Sequence, residues 1–308
     1  MSKSGRGLIP QAGDGAETLV ALAMKRATRY LSQVRKRYPE GFTQLNRMVR
    51  QKGAAGMPDW PDWCWAPLGA SYAVVSGGDP NRLTADDSRT ADMGRLGALA
   101  AWRLTKGVYW LEPDAADVHV SRLWRAPNVP VDPKLGAERF VDNLPQHCVY
   151  VALPQSNRPL EAGVLHWPLG LFIHLEHDAS NARPELRILV DTDGTWEGLE
   201  PHPVLLDRPT LLASSRELAA GAMGTLLQSL RSLSHVDDSE ELLAELSKTV
   251  PFQVWPAIEA VTDQGVVIGR WDMPGERSER AQPIMGNDGP RWEPTNEPTR
   301  WPNSVRGS

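Results

Sequence analysis

GLFIHLEHDASNARPELRILVDTD, residues 170–193, is the stretch on which the fold turns. In its first half Leu171, Ile173 and Leu175 alternate with Phe172, His174 and Glu176, the two-residue period of a strand. In its second half Leu186, Ile188 and Val190 alternate with Arg187, Leu189 and Asp191. DASNARP, between them, is rich in turn formers, so the stretch reads as a β-hairpin. Such alternation predicts one apolar face against a core and one polar face in water.

Working outward, HCVYVAL at 147–153 and GVYWLEP at 107–113 read as further strands, the second closed by Pro113. Residues 88–104 carry Met93, Leu96, Leu99, Ala100 and Leu104 at helical spacing, and Gly107 stops that helix. Residues 16–38 carry Leu19, Leu22, Ala23, Ala27, Leu31 and Val34 on one stripe, with Pro39 at the end. Shorter helices are predicted over about 41–52 and 136–143, and two more over 214–232 and 238–248. SYAVVSGG, 71–78, fits a short strand or a helix end equally well. In MPDWPDWCWAP, Trp60, Trp63 and Trp65 interleave with prolines, which predicts an irregular aromatic connection. From about 271 six prolines and little periodicity predict an extended tail. The fold class is therefore α+β: an antiparallel or mixed sheet with flanking helices, a basic N-terminal helix and an extended C-terminal tail.

Charge divides the chain. Residues 1–56 hold 11 Lys/Arg and three acids, while the remainder holds 22 and 35. With the composition, this gives a basic helical region over 1–56, an α+β core over 57–250 and a Pro/Trp-rich segment, partly extended or disordered, over 251–308. Arg29, Arg35, Lys36 and Arg37 are the candidates for contact with RNA or a ribosome, set against the plainer role of a solvated helix face. The N-terminal SKSGRGLIPQAGDG lacks a signal-peptide pattern, and no apolar run is long enough for a membrane helix, so a cytoplasmic location is expected. Cys64 and Cys148 read as reduced, buried thiols, with a disulfide as the alternative.

Catalytic signatures are sparse. His174, Glu176 and Asp178 share a strand face, and Asp191 and Asp193 are on the partner strand, a weak candidate set for a divalent metal. The competing explanation is the solvated face of a half-buried hairpin. His147 and Cys148 are adjacent on a strand and point to opposite faces, so they are no catalytic dyad. Phosphate loops, CxxC, HExxH and GxSxG are all missing from the sequence. No cofactor is expected, and an enzyme is less favoured than a binding protein.

Three blocks in fixed order carry a resemblance. Ala101, Trp102, Arg103, Thr105, Gly107, Val108 and Tyr109 form an AWR-x-T-x-G-[IV]-Y helix end. Leu144, Pro145, Cys148, Val149, Tyr150 and Val151 form an LP-x-x-CVYV strand, and Val190–Asp193 closes a paired-strand segment with VDTD. Over roughly residues 60–250 the chain resembles the second family of type V-A anti-CRISPR proteins. The resemblance implies a phage or mobile-element inhibitor that binds the N-terminal nascent peptide of a type V-A effector nuclease, so that the encoding mRNA is lost. On that implication Trp60, Trp63, Trp65, Trp102, Arg103, Tyr109, Tyr150, His174 and Glu176 are the candidate binding residues. Family members carry a basic, His- and Trp-rich terminal segment of the type PH-x-RR-x-HWH. The sequence ends at SVRGS without it, so an altered, truncated or differently directed homologue is expected. Two other functions compete: a metal-dependent nuclease-like enzyme using the 174–193 hairpin, and a mobile-element scaffold acting on another host target.

Overall fold

The computed structural model describes residues 15–79, 87–111, 132–144, 146–153, 168–178, 183–220, 250–262, 268–271, 280–286 and 289–295. In chain order the elements are α1 (Gly15–Arg37), α2 (Gly41–Arg50), α3 (Leu68–Ser76), α4 (Asp87–Thr105), β1 (Val108–Leu111), α5 (Ala137–Asn143), β2 (Cys148–Ala152), β3 (Gly170–Asp178), β4 (Arg183–Asp191), β5 (Leu199–Leu205), α6 (Leu211–Ala220), α7 (Val250–Thr262), β6 (Ile268–Trp271), β7 (Arg280–Gly286) and β8 (Gly289–Thr295). Six strands form one mixed sheet in the order β5-β4-β3-β2-β1-β6, and β7 and β8 form a separate pair. Only β1 and β2 run parallel; the other pairs in the sheet are antiparallel. The hairpin reading is correct, with Ile173 opposite Ile188 and His174 opposite Arg187. The DASNARP turn lies partly outside the described residues.

The expected half-buried hairpin is instead buried on both faces. One core joins Ala23, Ala27, Tyr30, Leu31 and Val34 of α1 and Leu96, Leu99 and Trp102 of α4 to Tyr150, Phe172 and Leu189 of the sheet. The second joins Leu171, Ile173, Leu175, Leu186, Ile188 and Val190 to Phe140 of α5 and Phe252, Trp255 and Ile258 of α7. The reason lies in the flanking helices: α1, α3 and α4 lie over the face that holds the alternating polar residues. Packing thus runs across residues 56 and 250.

Other differences are local. SYAVVSGG belongs to a helix, α3, which Gly77 ends in the left-handed conformation, φ 62°. Leu22 stands in solvent, while Met24 and Tyr30 complete the buried stripe of α1. The helix expected over 214–232 is seen as α6, and residues 221–249, including the helix expected at 238–248, lie outside the described residues. α7 was not foreseen, because Pro251 and Pro256 argue against a helix; Pro251, however, sits in the first turn, where a missing N–H costs nothing. Of the C-terminal tail expected to be extended, Arg280–Gly286 pairs as β7 with Gly289–Thr295 as β8, and residues 272–279 and 296–308 lie outside the described residues.

The free side of β5 is closed to another strand. Leu199, Pro201, Pro203 and Leu205 alternate outward, away from β4. The two prolines have no N–H, the Leu205 N–H donates to Ser214 Oγ at 2.8 Å, and the Leu199 N–H donates to the Trp196 carbonyl at 3.3 Å. Prolines on an edge strand are a recognised block to edge-to-edge pairing.

One carboxylate clamps the helical layer to the sheet. Asp92, fully buried in α4, accepts from Arg37 Nε (2.8 Å), Tyr38 OH (2.5 Å), Arg95 Nη1 (2.8 Å) and Trp196 Nε1 (2.7 Å). Arg95 also donates to the Leu199 carbonyl at 2.7 Å, tying α4 to the start of β5. Removing this acceptor strands several buried donors, so Asp92→Ala is expected to cost about 3–5 kcal/mol. Arg37→Gln, at a half-exposed partner, is expected to cost no more than about 1 kcal/mol. Urea denaturation of the two variants measures the difference.

Candidate functional site

Between the sheet and α3/α4 runs a row of polar side chains. Strand register sets Cys148 of β2 opposite His174 of β3, and His174 opposite Arg187 of β4; one step along, Glu176 is opposite Glu185. Helix α4 closes on this row through Gly97, where a Cβ would stand 3.1 Å from both Glu176 Oε1 and Ser71 Oγ. Arg187 donates from Nε to Glu176 Oε2 at 2.9 Å and from Nη2 to Glu185 Oε2 at 3.2 Å. Burial raises the Glu176 pKa and Arg187 opposes that rise.

The histidines here are neutral. His174 Nδ1 is 2.9 Å from the His147 carbonyl, and His147 Nδ1 is 3.0 Å from the Trp63 carbonyl. A carbonyl only accepts, so each Nδ1 carries the proton. Burial lowers the His147 pKa to about 3 and the His174 pKa to about 4. His174 Nε2 then faces Glu176 Oε1 at 3.7 Å as an acceptor rather than a cation. His174 is 0% and Glu176 1% exposed, so the row is sealed from any substrate while the fold is closed. Glu176 Oε1 and His174 Nε2 make no hydrogen bond here, and the Arg187–Glu176 pair, taken out of water, adds little net stability although removing one partner alone would be costly.

The hairpin's metal candidates do not converge. His174 and Glu176 are at one end of the sheet, while Asp191 lies opposite Gly170 at the other, and four residues of strand span about 13 Å. Asp191 is occupied by Tyr30 OH (2.7 Å), Tyr150 OH (3.0 Å) and the Gly194 N–H (3.0 Å). Tyr150 reaches Asp191 only because residue 170 is glycine; a Cβ there would collide with the phenol. Asp193 accepts from the Thr195 N–H and hydroxyl and organises a turn. Asp178 pairs with Arg183 at the hairpin's end. Among the described residues no group of three or more His, Cys, Asp or Glu side chains is disposed to hold a metal ion. Asp191 was expected on a solvated face; it is in fact buried, because α1 covers it.

Both cysteines are free and buried. Burial, with Glu176 nearby, raises both thiol pKa values, the reverse of what a nucleophile needs.

The aromatic candidates divide by burial. Trp102 and Tyr150 are core residues: Trp102 Nε1 donates to the Gly107 carbonyl at 2.9 Å, and both rings pack edge-on against Phe172. Tyr109 is buried in the opposite core. Trp60 is 5% exposed, beneath Lys52 at 5.7 Å. Contact of a partner with these four rings would require the core to open. Trp63 and Trp65 are half-buried. The Trp63 ring lies edge-on to His177, and the Arg103 guanidinium lies 5.6 Å from the Trp65 ring and 4.9 Å from Phe42, with a hydrogen bond to Asn46. Tyr72, 37% exposed on α3, was missed because its segment has no clear periodicity. Of the basic candidates, Arg29, Arg35, Lys36 and Arg37 are all exposed, but Arg37 is engaged by Asp92 and lies 5.9 Å from the Trp196 ring.

A family model described as AcrVA2-like, anti-CRISPR type V subtype A2 family, matches residues 109–304. A solved structure described as "Crystal structure of AcrVA2" is 18% identical, with 75% of this chain and 69% of that chain covered and a TM-score of 0.46. Comparison with curated proteins gave no match.

The buried histidines make stability pH-dependent. His202 is lowered to about 4 as well, again by burial. Between pH 6.5 and about 4 the unfolded chain therefore binds protons at His147, His174 and His202 that the native state refuses. Stability falls as pH drops through this window, by up to about 1.4 kcal/mol per pH unit for each histidine. Glu176, with its raised pKa, offsets part of this. Denaturant midpoints at pH 7 and pH 5 check the sign, and His174→Gln should flatten the dependence.

Proposed function

Because the chain belongs to the anti-CRISPR type V subtype A2 family, matched over residues 109–304 of 308, we propose that it inhibits a type V-A CRISPR effector nuclease from within the bacterial cytoplasm, as the product of a phage or mobile element. The family match is the observation that carries this function. In the finer form proposed here, the protein acts on production of the effector: it binds the effector's N-terminal peptide as it leaves the ribosome, and the translated mRNA is lost. The absence of recognisable catalytic motifs in the sequence favours a binding protein over an enzyme.

The half-buried Trp63 and Trp65, with Arg103 beside Trp65, are the candidate peptide contacts, since rigid aromatic rings and arginine supply contact area at low entropic cost. Arg29 and Lys36 are the candidate contacts to RNA or ribosome, with Arg37 given over mainly to Asp92 and Arg35 set over the Phe42 ring.

The test is co-expression with a type V-A effector carrying either its native N-terminal peptide or one altered in sequence. Effector protein and mRNA are both expected to fall several-fold with the native peptide and to stay level with the altered one. Unchanged mRNA, with inhibition of the finished nuclease instead, would overturn the production-level mechanism. Trp65→Ala is expected to weaken silencing while leaving the fold intact, as circular dichroism will report.

A further inference from the structure

Helix α1 has two sides of opposite character. Ala23, Ala27, Tyr30, Leu31 and Val34 are at most 2% exposed and hold the helix against the sheet. The residues in solvent on the opposite side recur as Leu22, Lys25, Arg29, Ser32 and Lys36, offsets of 3, 7, 10 and 14 that keep them on one stripe of a helix. Lys25 and Lys36 are 11 positions apart, a length of about 16 Å at 1.5 Å per residue. From residue 18 to residue 39 the sequence has no Asp or Glu, although the chain as a whole is acidic.

We infer that this stripe of α1, centred on Lys25, Arg29 and Lys36, binds the phosphodiester backbone of a nucleic acid without reading its bases. Three observations favour a polyanion over a protein partner. The charge is of a single sign along the stripe, which suits the uniform negative charge of a phosphodiester backbone. The stripe contains no aromatic side chain, while protein interfaces are anchored by Trp and Tyr at their centres. Its cations are spaced along a rigid, core-anchored rod about as long as the run of four to five phosphates on one strand, at about 3.4 Å of axis each. Arg37 stands apart, because its guanidinium is engaged by Asp92. Arg35 is set over the Phe42 ring at 5.9 Å. The candidate set therefore differs from the one the sequence suggests: Lys25 enters, and Arg35 and Arg37 leave.

The inference rests on α1 alone and stands whether or not effector production is the target. Its test uses the full chain with an RNA and a DNA oligonucleotide of the same sequence, single- and double-stranded, titrated from low to moderate salt. Affinity is expected to fall with salt with a log–log slope of about −2 to −3, the signature of about three phosphate contacts. K25Q/R29Q/K36Q should lose most of that slope and at least tenfold in affinity at low salt with an unchanged thermal midpoint, since all three side chains are exposed. R37Q should lower the midpoint and keep the slope. Equal binding of the ribo- and deoxyribo-oligonucleotides supports pure backbone contact, and preference for one identifies the natural source. No binding by the wild-type chain, an unchanged slope in the triple variant, or equal competition by polyglutamate would overturn the inference. Effector silencing measured in the same variants reports separately on the proposed function.

Discussion

Burial of the β3–β4 hairpin on both faces is the constraint from which the rest of the structure follows. One face meets α5, α6 and α7 through Leu171, Ile173, Leu175 and Ile188; that face is apolar and packs as any core does. The other face carries His174, Glu176 and Arg187, and covering it with α3 and α4 forces each polar group to find a partner or to stay uncharged. Glu176 meets Arg187, Arg187 meets Glu185, and His174 stays neutral by donating to the His147 carbonyl. Glycine at 97 lets α4 come down onto that row.

The same logic explains the two carboxylate nodes. Asp92 and Asp191 are both fully buried, and each gathers donors from distant parts of the chain. Asp191 links α1 to β2 through Tyr30 and Tyr150, and Asp92 links the end of α1 to the loop before β5 through Arg37, Tyr38 and Trp196. The basic N-terminal helix is thereby part of the core rather than a detached arm. Its outer side is left to solvent as a rigid, positively charged strip. Helices on both faces of the sheet and closed edge geometry at β5 leave surface loops and helix faces for recognition.

Much of the fold was legible in the residues. Strict alternation at 170–193 revealed the hairpin because a strand's period is two regardless of what covers it. Helical stripes located α1 and α4 for the same kind of reason. The chemistry of the site was less legible. His174, Glu176 and Asp191 look alike in sequence, being polar residues on one face of a hairpin, and nothing local says that helices will cover that face. The split between Trp102, sealed in the core, and Trp65, half-exposed beside Arg103, is likewise invisible in a pattern where every tryptophan carries the same letter.

By itself the sequence determined the α+β class, the existence of the hairpin, the basic character of α1 and, through three ordered blocks, the family. These depend on local periodicity and on residue identity, which the chain carries wherever it folds. Tertiary structure alone decided which polar residues are buried, which tryptophans keep a surface, and that Arg37 serves Asp92 while Lys25, Arg29 and Lys36 face water. Those outcomes depend on contacts between residues far apart in the chain, such as Arg37 with Asp92, 55 positions away, and Tyr30 with Asp191, 161 positions away, and such distances lie beyond the reach of any local pattern.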